Sequence, residues 1–336
     1  MSSIENKKMK IAKEPFDLHE ILMSIKFHLP DFAVRYHFNR IFLSMLEHCP
    51  QYFYDGVEIA SVYGCFPQSL WNGGRTMPGV CDKSFVKKVV REFNKLGIPL
   101  RFTFTNPMIT EEHLNDDFCN FVLRTAENGK NGVIVVSPIL EQYIRDKYPG
   151  YKITSSTCKR ITDINNLNSE LDKNYDIVVL DYDFNNKFDM LEKVQNKEKC
   201  EILVNACCIP GCKNRVEHYR EIGLSQIAYC DHLKKYPNKP FNPKDYNLKV
   251  SNLSCPSMDY DAVDVRSLST HISPEDILNK YVPMGFNQFK IEGRTATMFN
   301  LVEFYLYYMI KPEYKDKARL ALLNNLVNNN LINTSF

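Results

Sequence analysis

The sequence has no apolar run long enough to cross a bilayer, so no membrane-spanning helix is expected. Charge of one sign is also lacking. Against 40 Asp and Glu stand 42 Lys and Arg, a formal +2 that gives no global pull toward nucleic acid or an anionic membrane. The lysines of Met1–Lys13 are followed by no hydrophobic stretch. That excludes a secretory signal and predicts a flexible tail over residues 1–14. Eleven cysteines in 336 residues are too few for a disulfide scaffold, and the odd count argues against complete pairing. The expectation is a cytoplasmic chain with reduced thiols, in which Cys49, Cys119 and Cys200 act as small buried hydrophobes.

Several motifs are missing as well. No Ser-His-Asp arrangement, His-Glu-x-x-His or Walker sequence is present, and no Gly-x-Gly-x-x-Gly follows the first strand. The Cys-x-x-x-Cys-x-x-Cys run of radical S-adenosylmethionine enzymes is absent too.

What is present is a repeat of short apolar strands and amphipathic helices. Strands are predicted at 23–30, 56–63, 100–105, 132–136, 151–155, 176–180, 202–204 and 289–293, with helices between them. The helices include 33–47, 83–96 (closed by Gly97), 110–124 capped by Thr110, 140–145, 166–171 and 190–197. Strand–helix alternation with continuous apolar strands predicts a parallel sheet covered on both sides, and eight units predict an α/β fold of the (β/α)8 TIM-barrel type. The spacing breaks between His218 and Gln288, where a Pro-, Lys- and Asn-rich stretch predicts an extended insertion between strands 7 and 8. The expected division is a barrel over 15–312, including an insertion at about 219–272, and a C-terminal helix over 313–336 packed on it.

In such a barrel the chemistry lies at the C-terminal ends of the strands. The sharpest feature there is Cys200-Glu-Ile-Leu-Val-Asn-Ala-Cys-Cys-Ile-Pro-Gly-Cys-Lys-Asn-Arg-Val-Glu-His218. It carries Cys208 and Cys212 across a Pro-Gly turn after strand 7, a spacing that lets two thiolates converge on one metal or cluster. Cys230 and Cys255, in the insertion, are the natural completing pair, with Cys207, Cys65 and Cys158 as substitutes. A structural zinc with His218 as fourth ligand, or free thiols filling space, are the alternatives.

Arg215 and His218 lie three apart on one helix face, where they could hold an anionic group or simply face water. Trp71-Asn-Gly-Gly-Arg75 reads as a substrate loop, with Arg75 as a carboxylate or phosphate fork, or as an ordinary Gly-rich turn. Glu292 and Arg294 flank Gly293 and can point to one side of the mouth, or form a structural ion pair. Asn106 ends strand 3 and is expected to serve hydrogen bonding or proton transfer together with His218. His28, at the end of strand 1, is either a base or a structural histidine.

Phe289-Lys-Ile-Glu-Gly-Arg294, with cysteines following strand 7, resembles the collagenase-like peptidase family of unassigned catalytic type. It is most similar to that family's anaerobic hydroxylation branch, which acts in ubiquinone synthesis and on transfer and ribosomal RNA. Cys208-x-x-x-Cys212 resembles the paired ligands of one ubiquinone-pathway member. The likeness is concentrated in the last third of the chain. It implies a barrel core, a 4Fe-4S cluster on four cysteines and prephenate as oxygen donor. The sequence-level expectation is therefore an iron–sulfur barrel enzyme for oxygen-independent redox chemistry, such as hydroxylation of an RNA base or small aromatic metabolite. A peptidase, or a partner subunit that works in a heterodimer, are the other readings.

Overall fold

The computed structural model describes residues 24–248 and 260–332. Eight parallel strands close on themselves in chain order, each hydrogen-bonded to its neighbours and β8 returning to β1. They are β1 Ile25–Pro30, β2 Val57–Gly64, β3 Leu100–Phe104, β4 Gly132–Val135, β5 Lys152–Ser155, β6 Ile177–Val179, β7 Cys200–Leu203 and β8 Gln288–Lys290. The predicted (β/α)8 barrel is the observed fold.

Helices cover the outside. The first five are α1 Tyr36–His48, α2 Lys83–Lys95, α3 Asp117–Ala126, α4 Pro138–Lys147 and α5 Ile164–Leu171. They are followed by α6 Phe188–Leu191, α7 Arg215–Lys235, α8 Ala262–Ser267, α9 Pro274–Asp276 (continuing as a wider turn through Tyr281), α10 Met298–Met309 and α11 Lys315–Asn328. Along each strand the apolar side chains that face outward, such as Phe27, Phe102, Phe104, Ile202 and Phe289, join one core with the helices. The helix α11 adds Ala318, Leu322 and Leu326 to that core.

Three elements differ from expectation. Thr110 caps only a short turn, Glu111–Asn115; Asp116 then breaks the chain direction and caps α3 by accepting from the Cys119 N–H at 2.8 Å. The helix predicted at 190–197 shrinks to α6, and Asn196, in a left-handed conformation with φ 47°, opens a separate short turn at Lys197–Lys199. The insertion expected from about residue 219 begins later, since α7 runs unbroken to Lys235. The tail at 1–14 and Cys255 lie outside the described residues.

The inside of the barrel is not the usual stack of branched aliphatic layers. His28, Arg101, Glu201 and Lys290 meet there, all at least nine-tenths buried. Glu201 takes Arg101 on one carboxylate oxygen and Lys290 Nζ on the other at 3.0 Å. His28 Nδ1 accepts from Arg101 at 3.0 Å and lies 2.7 Å from Ser61 Oγ, which leaves Nε2 to face Glu201 at 3.4 Å. Burial is the main force lowering the imidazole's affinity for a proton, to a pKa of about 3, so His28 is a neutral structural histidine. The same two cations hold the Glu201 carboxylate well below its ordinary range despite its burial.

Candidate functional site

Above this charged layer, at the C-terminal ends of the strands, two chambers share a wall. The inner chamber, about 70 Å³, lies over the barrel axis; Tyr63, Cys158, Tyr182, Tyr219, Lys290 and Arg294 are among its lining residues. The lateral chamber, about 380 Å³, opens beside it, with Asn205, Cys207, His218, Tyr260 and Asn300 in its lining. Arg75, Cys208 and Glu292 line both.

The shared wall is an ion pair with a thiol attached. Arg75 pairs with Glu292 through Nη2, which also donates to Cys207 Sγ at 3.3 Å. Glu292 also accepts from the Cys207 N–H at 3.1 Å, while Asn205 clamps its backbone, accepting from the Glu292 N–H at 2.7 Å and donating to its carbonyl at 2.9 Å. A hydrogen bond with Cys207 draws the Cys208 thiol toward the thiolate form against its burial; Arg75 and the Tyr182 hydroxyl act in the same direction.

Arg294 is held differently. Its Nη1 donates to Asn72 Oδ1 and to Thr103 Oγ1, both at 3.0 Å, and its Nη2 donates to the Gly73 carbonyl at 3.0 Å. All three acceptors are neutral. Among the described residues Arg294 makes no ion pair with any carboxylate, although it lines the inner chamber. The loop that supplies two of these acceptors can approach so closely only because of its glycines. A Cβ on Gly73 would sit 2.2 Å from the Thr105 carbonyl oxygen, and Gly74 has φ +71° and lies under the Arg294 guanidinium.

The predicted site residues therefore separate into two groups. Arg75, Glu292, Arg294, Cys208 and His218 line the chambers. Trp71 does not: it is fully buried, stacks edge-on with Phe104 and donates its indole N–H to the His113 carbonyl at 2.8 Å. Asn106 is also structural, its amide donating to the Leu70 and Gly223 carbonyls at 3.1 Å and accepting from the Met108 N–H. Arg215 is buried over the Tyr182 ring and held by Asp181 and Asp183, so its charge is already compensated. From there it donates to the Ile209 carbonyl at 2.8 Å and pins the cysteine-bearing turn to the end of β6.

Cys230 does not stand with Cys208 and Cys212. Cys208 and Cys212 flank one turn, but Cys230 sits fifteen residues into α7, about 22 Å along the helix axis from its start. There its thiol donates to the Gln68 carbonyl at 3.5 Å, and burial pushes its pKa up to about 12. Among the described residues no group of three or more His, Cys, Asp or Glu side chains is placed to hold a metal ion.

Sequence reasoning missed Lys290, Tyr182 and Tyr219, and ranked Cys158 only as a substitute. Lys290 was legible, since it stands two and four residues before Glu292 and Arg294, the period that returns a side chain to the same face of an extended segment. Tyr219 and Tyr182 offer no such signal.

Fold and site together define a (β/α)8 barrel with a polar, thiol-bearing, two-chambered mouth. Comparison of the sequence with protein-family models gives no match, and comparison with curated proteins gives none. Among solved structures, one titled "The Structure of the U32 Peptidase Mk0906" is similar over 81% of this chain and 94% of its own, at 13% identity and a TM-score of 0.46.

Proposed function

We propose that the protein is an enzyme that seats the anionic end of a small substrate in the inner chamber and performs oxygen-independent redox chemistry on it through the thiols of the turn after β7. The observation that supports this most is Arg294, a guanidinium that lines the inner chamber together with Cys158 and Cys208 and donates hydrogen bonds only to neutral acceptors. A partly buried guanidinium that forms no ion pair among the described residues favours an anionic guest. The inner chamber suits a carboxylate or similar group of a few atoms, and the lateral chamber has room for the rest of a small metabolite. Cys207 and Cys208, adjacent in the chain, can together give up two electrons and two protons to a substrate as they close to a disulfide.

The test is a thermal-shift screen of small mono- and dicarboxylates against wild type and Arg294→Gln. The expected result is a rise in melting temperature for wild type that the variant lacks. Equal rises in both proteins, or none in either, would reject the assignment.

A metal or iron–sulfur centre on the same turn would draw on Cys208, Cys212 and Cys255 and would exclude Cys230. Iron, zinc and sulfide content after anaerobic preparation decides whether one is present. The peptidase reading is supported separately by Cys208 and His218, which line the same lateral chamber as a thiol nucleophile and a base would. Casein hydrolysis that disappears in Cys208→Ser would favour it over redox chemistry.

A further inference from the structure

We infer that Lys290 is a covalent anchor for carbonyl substrates, forming an iminium with a small 2-oxo acid whose carboxylate is held by Arg294. This rests on the anion-binding reading of the inner chamber and names its substrate class.

The geometry starts from position. Lys290 and Arg294 both line the inner chamber, so a ligand bearing a carboxylate beside a carbonyl can reach the two side chains together. Lys290 is only 7% exposed, at the base of the chamber rather than on the surface, where lysines usually lie. Its Nζ has Glu201 Oε1 at 3.0 Å on one side and the Tyr63 ring centroid at 4.0 Å on the other.

Charge counting explains why this amine can give up its proton. The buried layer holds two cations, Arg101 and Lys290, against one anion, Glu201, with His28 neutral. If Lys290 becomes neutral, Arg101 and Glu201 remain as a balanced pair. Arg101 cannot play that part, because a guanidinium keeps its proton in proteins. Burial accordingly lowers the Lys290 ammonium to about 8, with Arg101 and Arg294 acting in the same direction and Glu201 opposing.

The step balances without an oxidant or reductant. The ammonium releases one proton to solvent, leaving Arg101 and Glu201 as an ion pair, and the freed Nζ lone pair attacks the carbonyl carbon to form a C–N bond. The carbonyl oxygen then leaves as water, taking one proton back from solvent and one from nitrogen as its C–O bonds break. One proton stays on the iminium. The positive charge is retained, so the product keeps its ion pair with Glu201. An iminium at this carbon acidifies the neighbouring C–H and weakens bonds to the adjacent carboxylate, the activation that carbonyl-directed lysines provide.

The experiment treats the intact protein with pyruvate, 2-oxobutyrate or glyoxylate, adds sodium borohydride, and maps the modified residue by peptide mass spectrometry. Lactate and propionate, which lack the carbonyl, serve as controls, and their binding is followed by thermal shift. The expected result is one reduced adduct per chain, on Lys290, from at least one oxo acid; it is lost in Lys290→Met and absent with both controls. An adduct on other lysines only, or stabilisation by the oxo acids with no adduct, overturns the role of Lys290 while leaving the anion site intact. No stabilisation by any of the acids overturns the anion site as well. Because the wild-type adduct is mapped directly, the result stands even if Lys290→Met folds poorly.

Discussion

Four arginines at the strand ends differ less in position than in what already neutralises them. Arg160 and Arg215 share Asp181 and Asp183, and Arg75 has Glu292, whereas Arg294 has carbonyl, amide and hydroxyl oxygens only. The sequence could nominate Arg75, Arg215 and Arg294 alike, since residue type and proximity to a strand end are all it offers. Their partners, far away in the chain, decide the roles. Arg215→Met is expected to lower stability by about 3 kcal/mol in urea unfolding, because it leaves two acids at a buried site short of a partner. The same logic applies to the cysteines. Cys230→Ala is expected to leave unchanged whatever iron or zinc the anaerobically isolated protein carries, by metal analysis, because its thiol faces the Gln68 loop rather than the turn. A loss of metal in that variant would show that α7 is misplaced.

The elements that were easiest to read are those with a clean period or a strong stop signal. Gly97 ends α2 with φ +76°, and Ser273 accepts from the Asp276 N–H to start α9, as their sequence neighbourhoods indicate. Helix α7 was harder, because its buried face runs Tyr219, Ile222, Gly223, Gln226 and Cys230. The spacing is helical, but a glycine and a glutamine on it hide the apolar stripe. Each is there for a contact. Gly223 lets the helix touch Asn106, and Gln226 accepts from the Met77 N–H at 3.0 Å while donating to the Ser69 carbonyl. A glycine-to-alanine change inside a helix ordinarily stabilises by about 1 kcal/mol. Here Gly223→Ala is expected to destabilise instead, because the new Cβ would lie 2.3 Å from Asn106 Oδ1. Thermal unfolding of that variant against wild type checks the sign, and a rise in melting temperature would mean that α7 does not pack on the β3 end.

At the scale of the whole molecule, the barrel was legible because eight alternating units leave little room for another closed arrangement. The polar interior was not legible. Arg101 and Glu201 sit among apolar strand residues, and only closure of the sheet brings strands 3 and 7 together with Lys290 on strand 8. That interior makes stability depend on pH. His28 binds its proton in the folded state only near pH 3, against 6.5 for the unfolded chain. Between those values the unfolded state holds more protons, so stability falls as pH drops below 6.5. The slope from this one group is about 1.4 kcal/mol per unit. Glu201, with its lowered affinity, adds a loss of the same sign below the ordinary glutamate range. Urea midpoints measured from pH 7 to 4 should fall more steeply for wild type than for His28→Gln; parallel curves would place the histidine outside the buried layer.

The central claim is that the mouth of this barrel holds an anion on Arg294, and crystals soaked in selenate test it most directly. The account predicts an anomalous selenium peak in the inner chamber within hydrogen-bonding reach of the Arg294 guanidinium, absent from Arg294→Gln crystals under the same soak. Selenium found only on surface lysines, with the wild-type chamber empty, would contradict it.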